Sequence, residues 1–313
     1  MIGYDALRSR SAWLDLSSRG KIKLVGEDRA RLLHAMTTNH IQQLTPGAGC
    51  YAFFLNDKGR ILADANILCL TDHFLLDVEP EVRESLYQHL DRFIIADDVT
   101  LEDITGATAT IAIEGPASSA ALEAAGAPVP EADFASLEWG TRTVARLNST
   151  GGAGFFVFAP IAERAALIAA LEAAGAEPAD AEAFRVVRLE HGKARYSEDI
   201  SDRFLAQEAN QPQALHFSKG CYLGQEIVER VRSRGQVHRV LMPLLLDTKL
   251  PPEPGAKLQI GEASAAEITS AAYSPALDKV VALGYVRTEH SRPHTAMTLG
   301  ETHAEVAAPG QRR

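Results

Sequence analysis

The hydrophobic pattern of this 313-residue chain changes character near residue 240, and that change most narrows its fold. From Val240 onward, short apolar runs at 240–246, 257–260, 265–272, 279–287 and 296–299 alternate with turns. Pro251-Pro252-Glu253-Pro254-Gly255 separates the first two. Evenly spaced short strands with no helical period predict a small β-barrel or β-sandwich over 241–313. The last residues, 307–313, are expected to fray.

Before residue 240 the pattern is mixed. Residues 20–26 read as a strand, and 28–36 as a helix with Leu32, Leu33 and Met36 on one side. Runs 51–55 and 61–70 flank Asn56-Asp57-Lys58-Gly59, a strong hairpin signal. A strand at 74–78 precedes a helix at 81–93. There Val82, Leu86, Leu90 and Phe93 recur at helical spacing behind Pro80. Another strand follows at 109–113. This order predicts an α+β lobe rather than a doubly wound sheet.

Two alanine-rich helix ends, 120–127 and 170–176, each close on a glycine. An internal repeat and a shared capping solution both account for them. Ser149-Thr150-Gly151-Gly152 offers a glycine-rich turn of the kind that cradles phosphate, but it precedes a strand rather than a helix, so a nucleotide site is a weak reading.

Composition excludes several functions. The formal charge of −10 argues against nucleic acid and anionic membrane as general partners. No apolar run is long enough for a helical span, and residues 1–5 lack a secretory signal. Cys50, Cys69 and Cys221 have no metal-type spacing, and so sparse and odd a set suits a reducing cytoplasm. No protein-ligated metal is expected.

The densest chemistry lies in Lys219-Gly220-Cys221-Tyr222-Leu223-Gly224-Gln225-Glu226. A helix is expected over 225–231. A neighbouring lysine and a helix N-terminus both favour thiolate over thiol at Cys221. A buried packing cysteine is the competing reading of the same residues.

This octapeptide resembles the signature of the YgfZ-type folate-binding proteins, relatives of the glycine-cleavage T-protein. Further stretches are similar in the same order: Leu24 to Arg29, Thr45-Pro46-Gly47, Asn56 to Asp64, Arg188 to Gly192, and Glu267 to Val286. The resemblance covers roughly residues 20–290. It implies an α+β, T-protein-like three-lobed ring around a central channel. Two interleaved folate-binding lobes, one of them ferredoxin-like, would fill 1–240, and a C-terminal β-barrel 241–313.

The resemblance also implies roles. Tetrahydrofolate or a derivative would occupy the channel. Glu190 would accept the paired N–H groups of the pterin, a two-point charged contact; on the residues alone, a salt bridge to Arg188 or Lys193 is the plainer reading. Asp64 would lie near the reactive folate amine and stabilise developing positive charge; otherwise it is a hairpin aspartate facing solvent. Lys219, Tyr222, Arg230 and Arg232 would join the cofactor site. The basic members, with Arg234 and Arg239, would hold the glutamyl tail, against a plainer reading as a solvated helix face.

Cys221 would act at the channel mouth, in transient contact with an iron–sulfur cluster. The function so implied is a folate-binding accessory protein for iron–sulfur cluster assembly or repair, with assembly proteins or client enzymes as partners. A folate-dependent aminomethyltransferase or demethylase and a non-catalytic folate-sensing scaffold are the alternatives.

Overall fold

Strand Gly20–Val25, with Ile22 and Leu24 fully buried, lies second from the edge of a five-stranded antiparallel sheet. The order is Gly49–Leu55, Ile61–Cys69, Phe74–Val78, Gly20–Val25, Thr100–Asp103. The computed structural model describes residues 1–235 and 237–308, and of Arg234 the backbone alone. The hairpin expected around Asn56–Gly59 pairs Gly49–Leu55 with Ile61–Cys69. Gly59 at φ +69° makes its turn, and the Asn56 side chain accepts from the backbone N–H groups of Lys58 and Arg60.

A six-stranded sheet interleaves with the first in sequence. Ala12–Asp15 precedes the five-stranded sheet in the chain, yet it pairs with Thr108–Glu114, which follows that sheet. Gly154–Pro160, Arg142–Ala145 and Ser136–Trp139 continue on one side, and the short strand Glu177–Pro178 on the other.

Helices Ser118–Ala124 and Arg164–Ala173 cover this sheet, burying Leu122, Leu167 and Leu171. Both end with the same pair of backbone bonds. Gly126 and Gly175 donate three residues back, and Ala127 and Ala176 donate five residues back. Each glycine takes positive φ, as that cap requires.

Six strands after residue 238 close into a barrel: Arg239–Leu246, Lys279–Arg287, Ala263–Ser274, Lys257–Ile260, Ala296–Leu299 and Thr302–Val306. Closure leaves no free edge. The sequence pattern foresaw five of these strands. The sixth, Thr302–Val306, pairs back onto Leu244–Leu246. Fraying from residue 307 is therefore corrected at its first position: Ala307 is buried and donates its N–H to Pro243 O at 2.9 Å. Residues 309–313 lie outside the described residues. The α+β class with a terminal barrel is as expected. Among the described residues, no helix is long and apolar enough to cross a membrane.

Candidate functional site

Period-two geometry puts Asp64 and Asn66 on one face of strand Ile61–Cys69. That face lines a cavity of about 510 Å³. Phe156 and Leu14 of the six-stranded sheet line it too, as do Phe184, Arg185 and Arg188 of helix Ala181–Glu190. The helix starts firmly, because the Asp180 side chain accepts from Ala183 N at 2.7 Å.

Most charges in the cavity wall neutralise each other. Arg19 grips Asp77 with two bonds of 2.8 Å and also reaches Glu79. Arg195 holds Glu79 at 2.9 Å and Glu81 at 2.7 Å. Arg188 holds Glu198 at 2.8 Å and Asp199 at 2.6 Å. Asp199 in turn accepts from Thr269 and Ser270 of the barrel. Buried ions matched in this way fix geometry more than they add stability.

Among the carboxylates of the wall, Asp64 is the exception. It is 8% exposed and has no cationic partner within ion-pair distance among the described residues. Its one hydrogen bond comes from Tyr51, whose phenol donates to Oδ2 at 2.6 Å. Burial pushes its carboxyl up to about 6, and the Tyr51 bond offsets part of that rise. A buried, unpaired carboxylate facing a cavity marks a candidate site for binding or proton transfer.

Glu190 lies elsewhere, which corrects its expected place in the channel. It follows Arg188 by two residues, about 200° around the helix, so the two side chains diverge. Glu190 is fully buried, with one oxygen accepting from Tyr4 and Ser274 and the other from Arg8. Its salt-bridge partner is Arg8, rather than Arg188 or Lys193. The glycine-rich turn is similarly occupied: the N–H and hydroxyl groups of Ser149 and Thr150 all donate to buried Glu114.

Lys219, Cys221, Tyr222, Arg230 and Arg232 do not line this cavity. The Lys219 side chain turns inward and donates to the carbonyls of His34 and Thr37, with the Tyr222 ring 4.7 Å away. Burial pulls its ammonium down to about 7. Helix Gln225–Arg234 begins four residues after Cys221, with Gly224 as N-cap. Of the two features expected to favour the thiolate, the Lys219 ammonium is thus engaged with backbone carbonyls, and the helix starts where the sequence placed it. A side chain at Gly224 would meet Asn56 O at 2.6 Å, so this glycine lets the helix dock on the hairpin turn.

Cys221 itself is exposed, Cys50 is half-buried and Cys69 is buried. Arg232 stacks over Phe217 at 4.5 Å and pairs with Glu229, and Arg230 is exposed. Arg239 pairs with Glu208. The side chain of Arg234 lies outside the described residues.

Sequence reasoning found Asp64 but missed Tyr51, Arg19, Asp77, Glu79, Arg185 and Arg195. The hairpin pairs Tyr51 with Asn66, two residues beyond Asp64 on the same face, but a bulge between Phe54 and Leu55 shifts the register by one, so the Asn56–Gly59 turn alone does not reveal the pairing.

Residues 3–219 match the model of the GCVT N-terminal domain, and residues 239–309 that of the glycine cleavage T-protein C-terminal barrel domain. The chain belongs to the glycine cleavage T-protein family. A putative chloroplastic transferase of Arabidopsis thaliana is 27% identical, over 95% of this chain and 70% of its own. The aminomethyltransferase of Rubrobacter xylanophilus is 29% identical, over 91% of this chain and 78% of its own. The glycine cleavage system aminomethyltransferase T of Bartonella henselae has the same T-protein fold: TM-score 0.88 at 22% identity, covering 99% of this chain and 88% of that one.

Proposed function

We propose that this T-protein family member binds a tetrahydrofolate in the cavity, with Asp64 as the group that meets the ligand's polar atoms. The observation that carries this reading is the buried, unpaired Asp64 carboxylate in the cavity wall. The cavity suits the ligand. Its volume of about 510 Å³ falls within the range of small-molecule sites, roughly 300–1,000 Å³. Phe134, Phe156, Phe184 and Tyr51 give it aromatic walls for a flat heterocycle.

Tetrahydrofolate, when bound, supplies a carrier for one-carbon units on its amine nitrogens. The protein's contribution is electrostatic. Asp64 is mostly ionised at pH 7, and its carboxylate stabilises positive charge on a neighbouring amine. With a pKa of about 6 it also accepts and returns a proton near neutrality. Aminomethyl transfer, named for the bacterial relatives, is compatible with this arrangement.

Titration calorimetry with tetrahydrofolate under reducing conditions tests the reading. Asp64→Leu removes the acceptor while keeping bulk and should weaken binding ~10- to 100-fold, as for a lost charged hydrogen bond. No binding by the wild type would end the proposal.

A second observation favours an accessory role. Cys221 is the exposed one of the three thiols, and it stands in the segment that resembles the YgfZ-type signature. This supports a part in iron–sulfur cluster assembly or repair, with assembly proteins or client enzymes as partners. Gene deletion, complemented with wild type or Cys221→Ala, separates the readings. Loss of iron–sulfur enzyme activities that only the wild type restores supports the accessory role. Unchanged activities leave one-carbon transfer as the better account.

A further inference from the structure

The expected tail site, Arg230 and Arg232, does not line the cavity. Another cation stands at the cavity wall with hydrogen-bonding capacity unused. We infer that Arg185 is the specificity-determining residue that receives the anionic tail of the ligand, favouring ligands that end in a carboxylate. This inference rests on the folate reading above.

Five cations line the cavity: Arg19, Arg185, Arg188, Arg195 and Lys193. Four are committed. Arg19 and Arg188, 10% and 5% exposed, each hold two carboxylates at close range. Arg195 has Glu79 and Glu81 within 3 Å. Lys193 donates to the backbone carbonyl and the Oδ1 of Asn148.

Arg185 differs on three counts. Its side chain is 37% exposed, the most open of the four arginines, which places it where the cavity meets solvent. Its one carboxylate contact, to Glu198, is long at 3.3 Å, and the same oxygen is held more closely by Arg188 at 2.8 Å. Its Nη1 donates to Ala271 O at 2.8 Å, while Nη2 has no hydrogen bond among the described residues. The guanidinium is thus anchored by one nitrogen on the barrel and presents another.

The anchor limits the entropy lost when an anion arrives, and the planar fork suits a carboxylate. Asp64, an unpaired acceptor, and Arg185, an under-used donor, both line the cavity and offer a ligand one acceptor and one cationic donor. A ligand with N–H donors at its head and a carboxylate at its tail matches that polarity.

Calorimetric titration of two ligands into two proteins tests this. The ligands are tetrahydrofolate, with one glutamate, and tetrahydropteroate, which lacks it. Wild type should prefer tetrahydrofolate by about tenfold or more, as for a charge-assisted hydrogen bond. In Arg185→Met the preference should collapse toward one, with tetrahydropteroate affinity unchanged. Arg185→Lys, which keeps the charge, should retain part of it. Thermal melts of the variants verify that they are folded, since Arg185 also contacts the barrel.

A preference that survives in Arg185→Met, or is missing in wild type, overturns the role of Arg185 alone. Failure of wild type to bind either compound instead overturns the folate reading.

Discussion

Tyr51 donates its phenol hydrogen to Oδ2 of Asp64 at 2.6 Å, and Oδ1 has no partner among the described residues. The pair sits diagonally across two neighbouring strands of the five-stranded sheet. Burial without a cation keeps the Asp64 proton unusually tightly bound.

That pairing has a measurable pH signature. The Asp64 carboxyl is raised from 3.8 to about 6 on folding, so the native state holds its proton more strongly than the unfolded state. Ionising it therefore removes stability as pH rises through the window from about 4 to about 6. Asp64→Asn should match wild type below that window. By pH 7 it should be more stable by up to ~3 kcal/mol, two pKa units' worth. Urea denaturation of both proteins from pH 4 to 7 measures the gap. A gap that does not change with pH would mean Asp64 titrates normally.

Glu190 should prove structural. Glu190→Ala leaves Arg8 without its buried partner and should cost ~3–5 kcal/mol of stability. Tetrahydrofolate affinity should change less than twofold in Glu190→Gln, the gentler variant. Denaturation and calorimetry on the two variants report the two effects separately, and a large affinity loss would return Glu190 to the site.

The three thiols should rank by exposure. Iodoacetamide should label Cys221 in the native protein, and Cys50 and Cys69 chiefly after unfolding. Burial pushes the Cys50 thiol up to about 12, so it stays protonated and slow even where solvent reaches it. Peptide mass spectrometry of a labelling time course decides. Native labelling of Cys50 ahead of Cys221 would contradict the structure.

Lys219 should behave as a buried clasp. Its ammonium falls from 10.5 to about 7 on folding, so the unfolded state binds the proton more strongly above pH 7. Stability contributed by Lys219 should rise with pH between about 7 and 10, because the neutral amine still donates to His34 O and Thr37 O. Lys219→Met removes those bonds and should lose more, relative to wild type, at pH 9.5 than at pH 7. Paired thermal melts at the two pH values test it. A constant difference would place Lys219 in solvent.

The sequence carried the fold a long way. The short apolar runs after residue 240 alternate with turns and lack a helical period, which already implies a barrel or sandwich. The Asn56–Gly59 turn fixed a hairpin between two neighbouring strands. These are local facts, set by backbone sterics and spacing along the chain. The helix expected after Cys221 also forms, as Gln225–Arg234.

What spacing left open was which side chains meet at long range. Glu190 and Arg188 are near neighbours in sequence, but helical rotation sends one toward Tyr4 and Arg8 and the other to the cavity. Lys219 is two residues from Cys221, yet its charge is drawn inward to two carbonyls 182 and 185 residues away. Arg19, Asp77, Glu79 and Arg195 are scattered along the chain and meet only because the two sheets and the helix enclose one cavity. Local sterics fix strands and turns. The pairing of buried charges depends on which surfaces pack together, and only the tertiary structure decided that.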